Sequence, residues 1–163
     1  MTWTVSAPAR LHFGLFDLSG DHGRIDGGAG VAITSPRVVV RARHLVDGGA
    51  EPPPARIADL ARGLADRLRV DLDTVELEVE EALPPHVGLG SHTQLALAVG
   101  SAMARSVRRE LDAPTIARAA GRGGTSGIGV HAFAGGGLVV DGGHSFGPEA
   151  EKAECRPSSA SRA

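Results

Sequence analysis

PPHVGLGSHTQLALAVGSAMAR, Pro84 to Arg105, is the stretch from which the fold follows. Gly88 and Gly90 stand directly before a run of Leu, Ala, Val, Gly and Met that carries no charge until Arg105. Glycine lets a chain turn where a Cβ would clash. A helix that is apolar on all sides is a buried one. Its first turn exposes N–H groups that have no intrahelical partner, and with the positive end of the helix dipole these attract phosphate or pyrophosphate without a lysine. An ordinary helix N-terminus with Ser91 or Thr93 as N-cap has the same sequence signature.

Outward from this helix the pattern is mixed. Thr74 to Glu80 alternates strictly, with Val75, Leu77 and Val79 on one face and Glu76, Glu78 and Glu80 on the other, as in a half-buried strand. Three carboxylates in that arrangement read as a solvated face, not a metal site. Ile57, Leu60, Ala61, Leu64 and Leu68 recur at helical spacing. Trp3 to Ser6, Val31 to Ile33 and Arg37 to Arg43 are strand candidates, the last two divided by Pro36. Asp112 and Pro114 open a short helix that runs through Ala120 and stops at Gly121, and Leu138 to Asp141 is a final strand. A buried helix surrounded by antiparallel-type strands predicts a two-layer α+β domain. A Rossmann sheet is disfavoured, because the strands are not regularly interleaved with helices and no ribose-binding acidic residue follows a GxGxxG.

Composition bounds the function. A formal net charge of −2 over 163 residues gives no reason to expect a nucleic-acid or acidic-membrane partner. Lys152 is the only lysine, so a P-loop lysine is excluded. Cys155 has no intramolecular partner, in keeping with a reducing cytoplasm. No signal peptide or membrane-span pattern is present, and the expectation is a cytoplasmic protein. HExxH, CxxC and GxSxG are all missing, which argues against a zinc site and an esterase.

Glycine is the outlier, with 23 residues, about twice the usual share. Its clusters border periodic segments and read as shaped loops. In AGRGGTSGIGVHAF, Ala120 to Phe133, the backbone freedom of Gly123, Gly124 and Gly127 combines with Arg122, Thr125 and Ser126 as donors to phosphate or sugar oxygens. Arg10 and His12 alternate and so share one side of an extended chain, and Arg24 and Asp26 fall in the next loop. His12, His92 and His131 fit either catalytic or hydrogen-bonded structural roles.

Three blocks in this order, APARLHFGLFDLSGDHGRIDGGAGVAI, PPHVGLGSHTQLALAVG and GRGGTSGIGVHAFAGGGLVVDGGHSFGP, resemble the β-ribofuranosylaminobenzene 5′-phosphate synthase family of the GHMP kinase superfamily. The resemblance implies a GHMP-kinase-like N-terminal domain, of the ribosomal protein S5 domain 2-like fold, over residues 1–148, and a polar tail at 149–163 leading toward a second domain. It implies transfer of ribose phosphate from phosphoribosyl pyrophosphate to an aromatic acid with loss of CO2, Mg2+ as cofactor, and methanopterin or C-nucleoside biosynthesis as the setting. It places pyrophosphate on Gly88, Leu89, Gly90, Ser91, His92, Thr93 and Gln94, with Ser91 also toward Mg2+. Arg122, Gly123, Gly124, Thr125, Ser126 and Gly127 are implied to bind substrate, and Arg10, His12, Arg24 and Asp26 to line the reacting centre. Kinases of the superfamily carry a GLGSSAA-like sequence and bind ATP. His92, Thr93 and Gln94 depart from it, which favours the synthase branch over an ATP-dependent small-molecule kinase. A non-catalytic anion-binding fragment is the third expectation, and a homodimer or pairing with a C-terminal domain the expected association.

Overall fold

A computed structural model describes residues 1–16, 23–122 and 127–145. The centre of the sheet is β3 (Gly27–His44), flanked along one edge by β1 (Thr2–Phe16), from Thr2 against Arg43 to Phe16 against Gly27. Its other edge is shared. β4 (Val75–Glu81) pairs with the C-terminal part of β3, and β5 (Leu138–Asp141) pairs with Gly28 to Val31, all antiparallel. A separate ribbon joins β2 (Arg24–Ile25) to β6 (His144–Ser145). Four α-helices, α1 (Ala58–Leu68), α2 (Ser91–Ser106), α3 (Ala113–Ala119) and α4 (Gly127–Gly135), and two 3-10 turns, Ala55–Ile57 and Leu72–Thr74, complete the described residues.

Alternation puts Val5, Ala7 and Ala9 of β1, Val38, Val40 and Ala42 of β3, and Val75, Leu77 and Val79 of β4 into one core with α1 and α2. Ala61, Leu64 and Leu68 of α1 close it. Helix α2 packs on β1 and β3 and is also touched by α1, α3 and α4, so Leu97, Ala98, Val99, Ala102 and Met103 are fully buried. Its small side chains are what let four neighbours approach one helix at interior packing density. At the crossing with α3, a Cβ on Gly100 would lie 2.5 Å from Cγ2 of Ile116.

Some expectations change and others hold. Val31 to Ile33 and Arg37 to Arg43 are one strand, because Pro36 falls in a register shift, where Pro8 pairs with Arg37 and Ala9 with Ile33, and its missing N–H breaks no ladder bond. β1 runs well past Ser6, through Pro8 at the same irregularity. Gly27, Gly28 and Gly30 are in β3 and not in a loop: a Cβ at Gly30 would lie 2.5 Å from the Leu11 carbonyl and 2.8 Å from Ile128 of α4. The glutamate row of β4 is paired across the sheet, Glu76 with Arg43 at 2.6 Å, Glu81 with Arg37 at 3.0 Å, and Glu78 and Glu80 both with Arg41. Asp112 caps α3 by accepting from the Thr115 N–H at 2.8 Å, and Gly121, at φ +70°, ends it with N–H bonds from Gly121 to Arg118 and from Arg122 to Ala117. Cys155, Lys152 and the tail at 149–163 lie outside the described residues.

Two glycine replacements separate packing from helix propensity. Gly100→Ala is expected to destabilise by about 1–3 kcal/mol, since the new methyl overpacks against buried Ile116. Gly63→Ala, whose Cβ meets only Arg67 Nη1 at 3.4 Å, is expected to stabilise by about 0.5–1 kcal/mol. Urea unfolding of both variants measures the opposite signs.

Candidate functional site

The glycine turn runs along the free edge of β1, where the Arg10 N–H donates to the Leu89 carbonyl at 3.1 Å. The Arg10 guanidinium lies over the turn. Its Nη1 donates to the Gly88 carbonyl at 3.4 Å, and a Cβ on Gly90 would sit 3.0 Å from Arg10 Cγ. Gly88 and Gly90 adopt φ of +79° and +75°, a region that glycine enters without strain. Gly90 is itself the N-cap and makes no side-chain cap, so neither Ser91 nor Thr93 fills that position: the left-handed glycine leads straight into the helix. The first α2 bond runs from the Gln94 N–H to the Gly90 carbonyl at 3.0 Å, so the amides ahead of it, at Ser91 and His92, open toward the turn.

His92 is exposed at this turn, and its ring meets that of His86 at a centroid distance of 5.2 Å. His86 was not singled out from sequence, although HVGLGSH places the two histidines symmetrically about the glycines. Thr93 and Gln94 follow on the first turn of α2. Both are buried, and the Gln94 Nε2 donates to the Gly129 carbonyl of α4 at 2.9 Å. The Gln94 amide thus engages α4, and the Thr93 methyl lies where a Cβ on Gly129 of the same helix would come within 3.1 Å of it.

His12 follows Arg10 on β1, and its Nε2 lies 3.0 Å from where a Gly28 Cβ would be. Although the residue is largely exposed, partial desolvation of the ring, and secondarily the Arg10 charge, hold the imidazole below its ordinary pKa. The Arg10 guanidinium pKa is lowered by burial too, and its Nε is buried with no hydrogen-bond partner among the described residues. A guanidinium with an imidazole near it, beside open helix N–H groups, forms a surface on which negative charge is stabilised.

Arg24 and Asp26 belong to a different cluster. The Arg24 Nε donates to the Gly142 carbonyl at 2.8 Å and its Nη2 to that of Gly143, while Asp26 Oδ2 is 3.5 Å from Nε2 of His144. Both side chains are thus engaged with the β5–β6 turn, although Gly27, which backs onto Asp141 to Gly143, joins this turn to the Gly28 beneath His12. Asp141, buried and accepting from the Gly143 N–H at 3.0 Å, was also missed from sequence. Of the expected substrate loop, Gly127 is the first residue of α4 and the Arg122 backbone terminates α3. Gly123, Gly124, Thr125 and Ser126 lie outside the described residues. His131 is half-buried on α4. Among the described residues no three His, Cys, Asp or Glu side chains gather as a metal site, and Ser91 offers one hydroxyl only.

Fold and turn together define an α+β domain in which a glycine turn delivers a buried helix to the edge of an antiparallel sheet. The chain belongs to the family described as GHMP kinases N terminal domain, which matches residues 56–137. It is similar to the beta-ribofuranosylphenol 5'-phosphate synthases of Methanocaldococcus jannaschii, 40% identical over 97% of this chain and 52% of that protein, and of Archaeoglobus fulgidus, 43% identical over 98% and 50%. The chain spans about half the length of these curated relatives. Among solved structures it is similar in fold to the phosphomevalonate kinase of Streptococcus pneumoniae, with a TM-score of 0.66 at 11% identity over 89% of this chain and 49% of that one. The mevalonate kinase of L. major in complex with R-mevalonate gives 0.59 at 21% identity, over 90% and 51%.

The His12 environment is testable by NMR. Its imidazole is expected to titrate below the ordinary histidine range, and Arg10→Gln to raise the midpoint only part of the way back, since burial is the larger cause. The unfolded chain binds this proton more readily than the folded one, so the stability tied to His12 is present above the unfolded pKa and lost as pH falls through the folded value. An ordinary midpoint would remove His12 from the packed surface over Gly28.

Proposed function

We propose that this chain forms the phosphate-binding part of a decarboxylating C-ribosyltransferase that joins phosphoribosyl pyrophosphate to an aromatic acid. The observation that carries the reading is the Gly88–Gly90 turn, with the Arg10 guanidinium over it and the Ser91 and His92 amides opening toward it. In this reaction the bond from C1 of ribose to pyrophosphate breaks, and the ring carbon bearing the carboxylate attacks C1. The bond from that carbon to the carboxylate then breaks, CO2 leaves, and its electron pair restores the aromatic ring. The departing group is a polyanion, so preorganised N–H donors and a fixed guanidinium act where charge develops. His12, neutral and beside Arg10, adds a group that can take up a proton as negative charge arrives.

Mg2+, when bound, would neutralise pyrophosphate oxygens, with the Ser91 hydroxyl as its ligand from this chain and the polyanion supplying the other oxygens. Because the resembling enzymes are named for a ribofuranosylphenol, a hydroxylated aromatic acid is favoured over an aminobenzoate. Such substrates are intracellular metabolites, so the reading carries a cytoplasmic setting. No helix among the described residues is long and apolar enough to cross a membrane. Association with a second domain or a second copy would use the outer face of the sheet where exposed Leu11 and Leu138 flank Val31, and Val140 pairs with Ala29.

Titration calorimetry with Mg2+ and pyrophosphate is expected to show binding that Gly90→Val abolishes and Arg10→Gln weakens about tenfold, equivalent to about 1.4 kcal/mol. With phosphoribosyl pyrophosphate and carboxyl-labelled hydroxy- or aminobenzoate, labelled CO2 is expected. ADP from ATP and an alcohol, without CO2, would replace the transferase by a kinase. Absence of both products and of pyrophosphate heat would leave a non-catalytic fragment.

A further inference from the structure

Gln94 is the fully buried polar side chain that the phosphate turn leaves unexplained. Its Nε2 donates to the Gly129 carbonyl, whereas its Oε1 is buried with no partner among the described residues. A half-satisfied buried amide lowers stability relative to an apolar side chain of the same shape, so its place in the core calls for another account. The surroundings supply one. Gly129 is glycine at a contact where a Cβ would lie 3.1 Å from Thr93 Cγ2 and 3.7 Å from Gln94 Nε2, so α4 seats directly on the first turn of α2. One residue earlier, Ile128 of α4 fills the space above Gly28 and Gly30, where a Cβ would come within 3.3 and 2.8 Å of it. The His12 ring lies on the same Gly28. The Gly90–Gln94 turn is thus joined to α4, and α4 and the His12 ring are neighbours over the same Gly28.

We propose that Gln94 is a positioning residue that locks α4 to the glycine turn and thereby fixes His12 relative to the turn's N–H groups. Its consequence for ligand binding rests on the phosphate reading above, but the lock itself does not. The Gln94 N–H closes the first bond of α2 while its side chain holds α4, so one residue ties both helices at the same point. The alanines of the GLGSSAA-like kinase sequence could make no such bond.

Gln94→Met keeps the length of the side chain and removes both amide groups. In the ligand-free protein it is expected to raise hydrogen exchange of the α4 amides by about tenfold, leaving the C-terminal half of α2 protected and the melting temperature unchanged or higher. Pyrophosphate is expected to shift the His12 ring resonances in the wild type and much less in Gln94→Met. Gln94→Glu is the second probe: a carboxylate facing the Gly129 carbonyl loosens α4, and its protonation as pH falls restores a donor, so α4 protection is expected to return on acidification. Unchanged α4 exchange in Gln94→Met, or loosening spread evenly over the whole chain, overturns the lock. A wild type whose His12 resonances ignore pyrophosphate, with α4 exchange still raised by Gln94→Met, overturns the phosphate reading and keeps the lock.

Discussion

The burial of α2 on every side is the constraint from which the rest of the molecule follows. With the sheet beneath it and α1, α3 and α4 around it, the backbone of this helix meets its surroundings at its ends. The chain must deliver its N-terminus along the β1 edge in a few residues, and Gly88 and Gly90 make that turn at positive φ while the Arg10 N–H fixes it to the strand through Leu89. The same burial makes the helix Ala- and Gly-rich, since larger side chains would push its neighbours away. Packing and the open helix terminus are thus two results of one arrangement.

Elements with a strong period were legible in the sequence. The alternation of Val75, Leu77 and Val79, the helical recurrence from Ile57 to Leu68, and the Asp112 cap with Gly121 stop all describe what forms. Boundaries failed where tertiary contacts override local chemistry. Pro36 read as a divider between two strands, yet it sits with Pro8 at one shared irregularity of the β1–β3 pair and is absorbed by it. Gly27 to Gly30 read as loop because glycine usually marks one; here the missing side chains make room for Ile128 and the His12 ring on a central strand.

The site was legible in kind and less so in membership. Glycines before an apolar helix announce a turn with open N–H groups, and Arg10 lies on it as the alternation of β1 allowed. No local pattern could show that Arg24 turns to the Gly142 and Gly143 carbonyls, because that partner is 118 residues away for its Nε. His86 and Asp141 were missed for the same reason: their significance lies in what the fold brings to them, a second imidazole in one case and the β5–β6 turn in the other.

The departure from the GLGSSAA-like sequence has a volume argument that extends beyond the turn. Placing Thr93 and Gln94 where that sequence has alanines adds bulk at the first turn of α2, and a close-packed interior accepts added bulk only where a neighbour gives way. Gly129 is that neighbour: it has no Cβ at the point of contact and leaves its carbonyl within reach of the Gln94 amide. Positions 93, 94 and 129 therefore pack as one unit, in which α2 side chains take the space a Gly129 Cβ would need and gain a hydrogen bond. A chain given alanine at 93 and 94 with Gly129 unchanged would hold a cavity between α2 and α4, and one given a side chain at 129 alone would force the two helices apart.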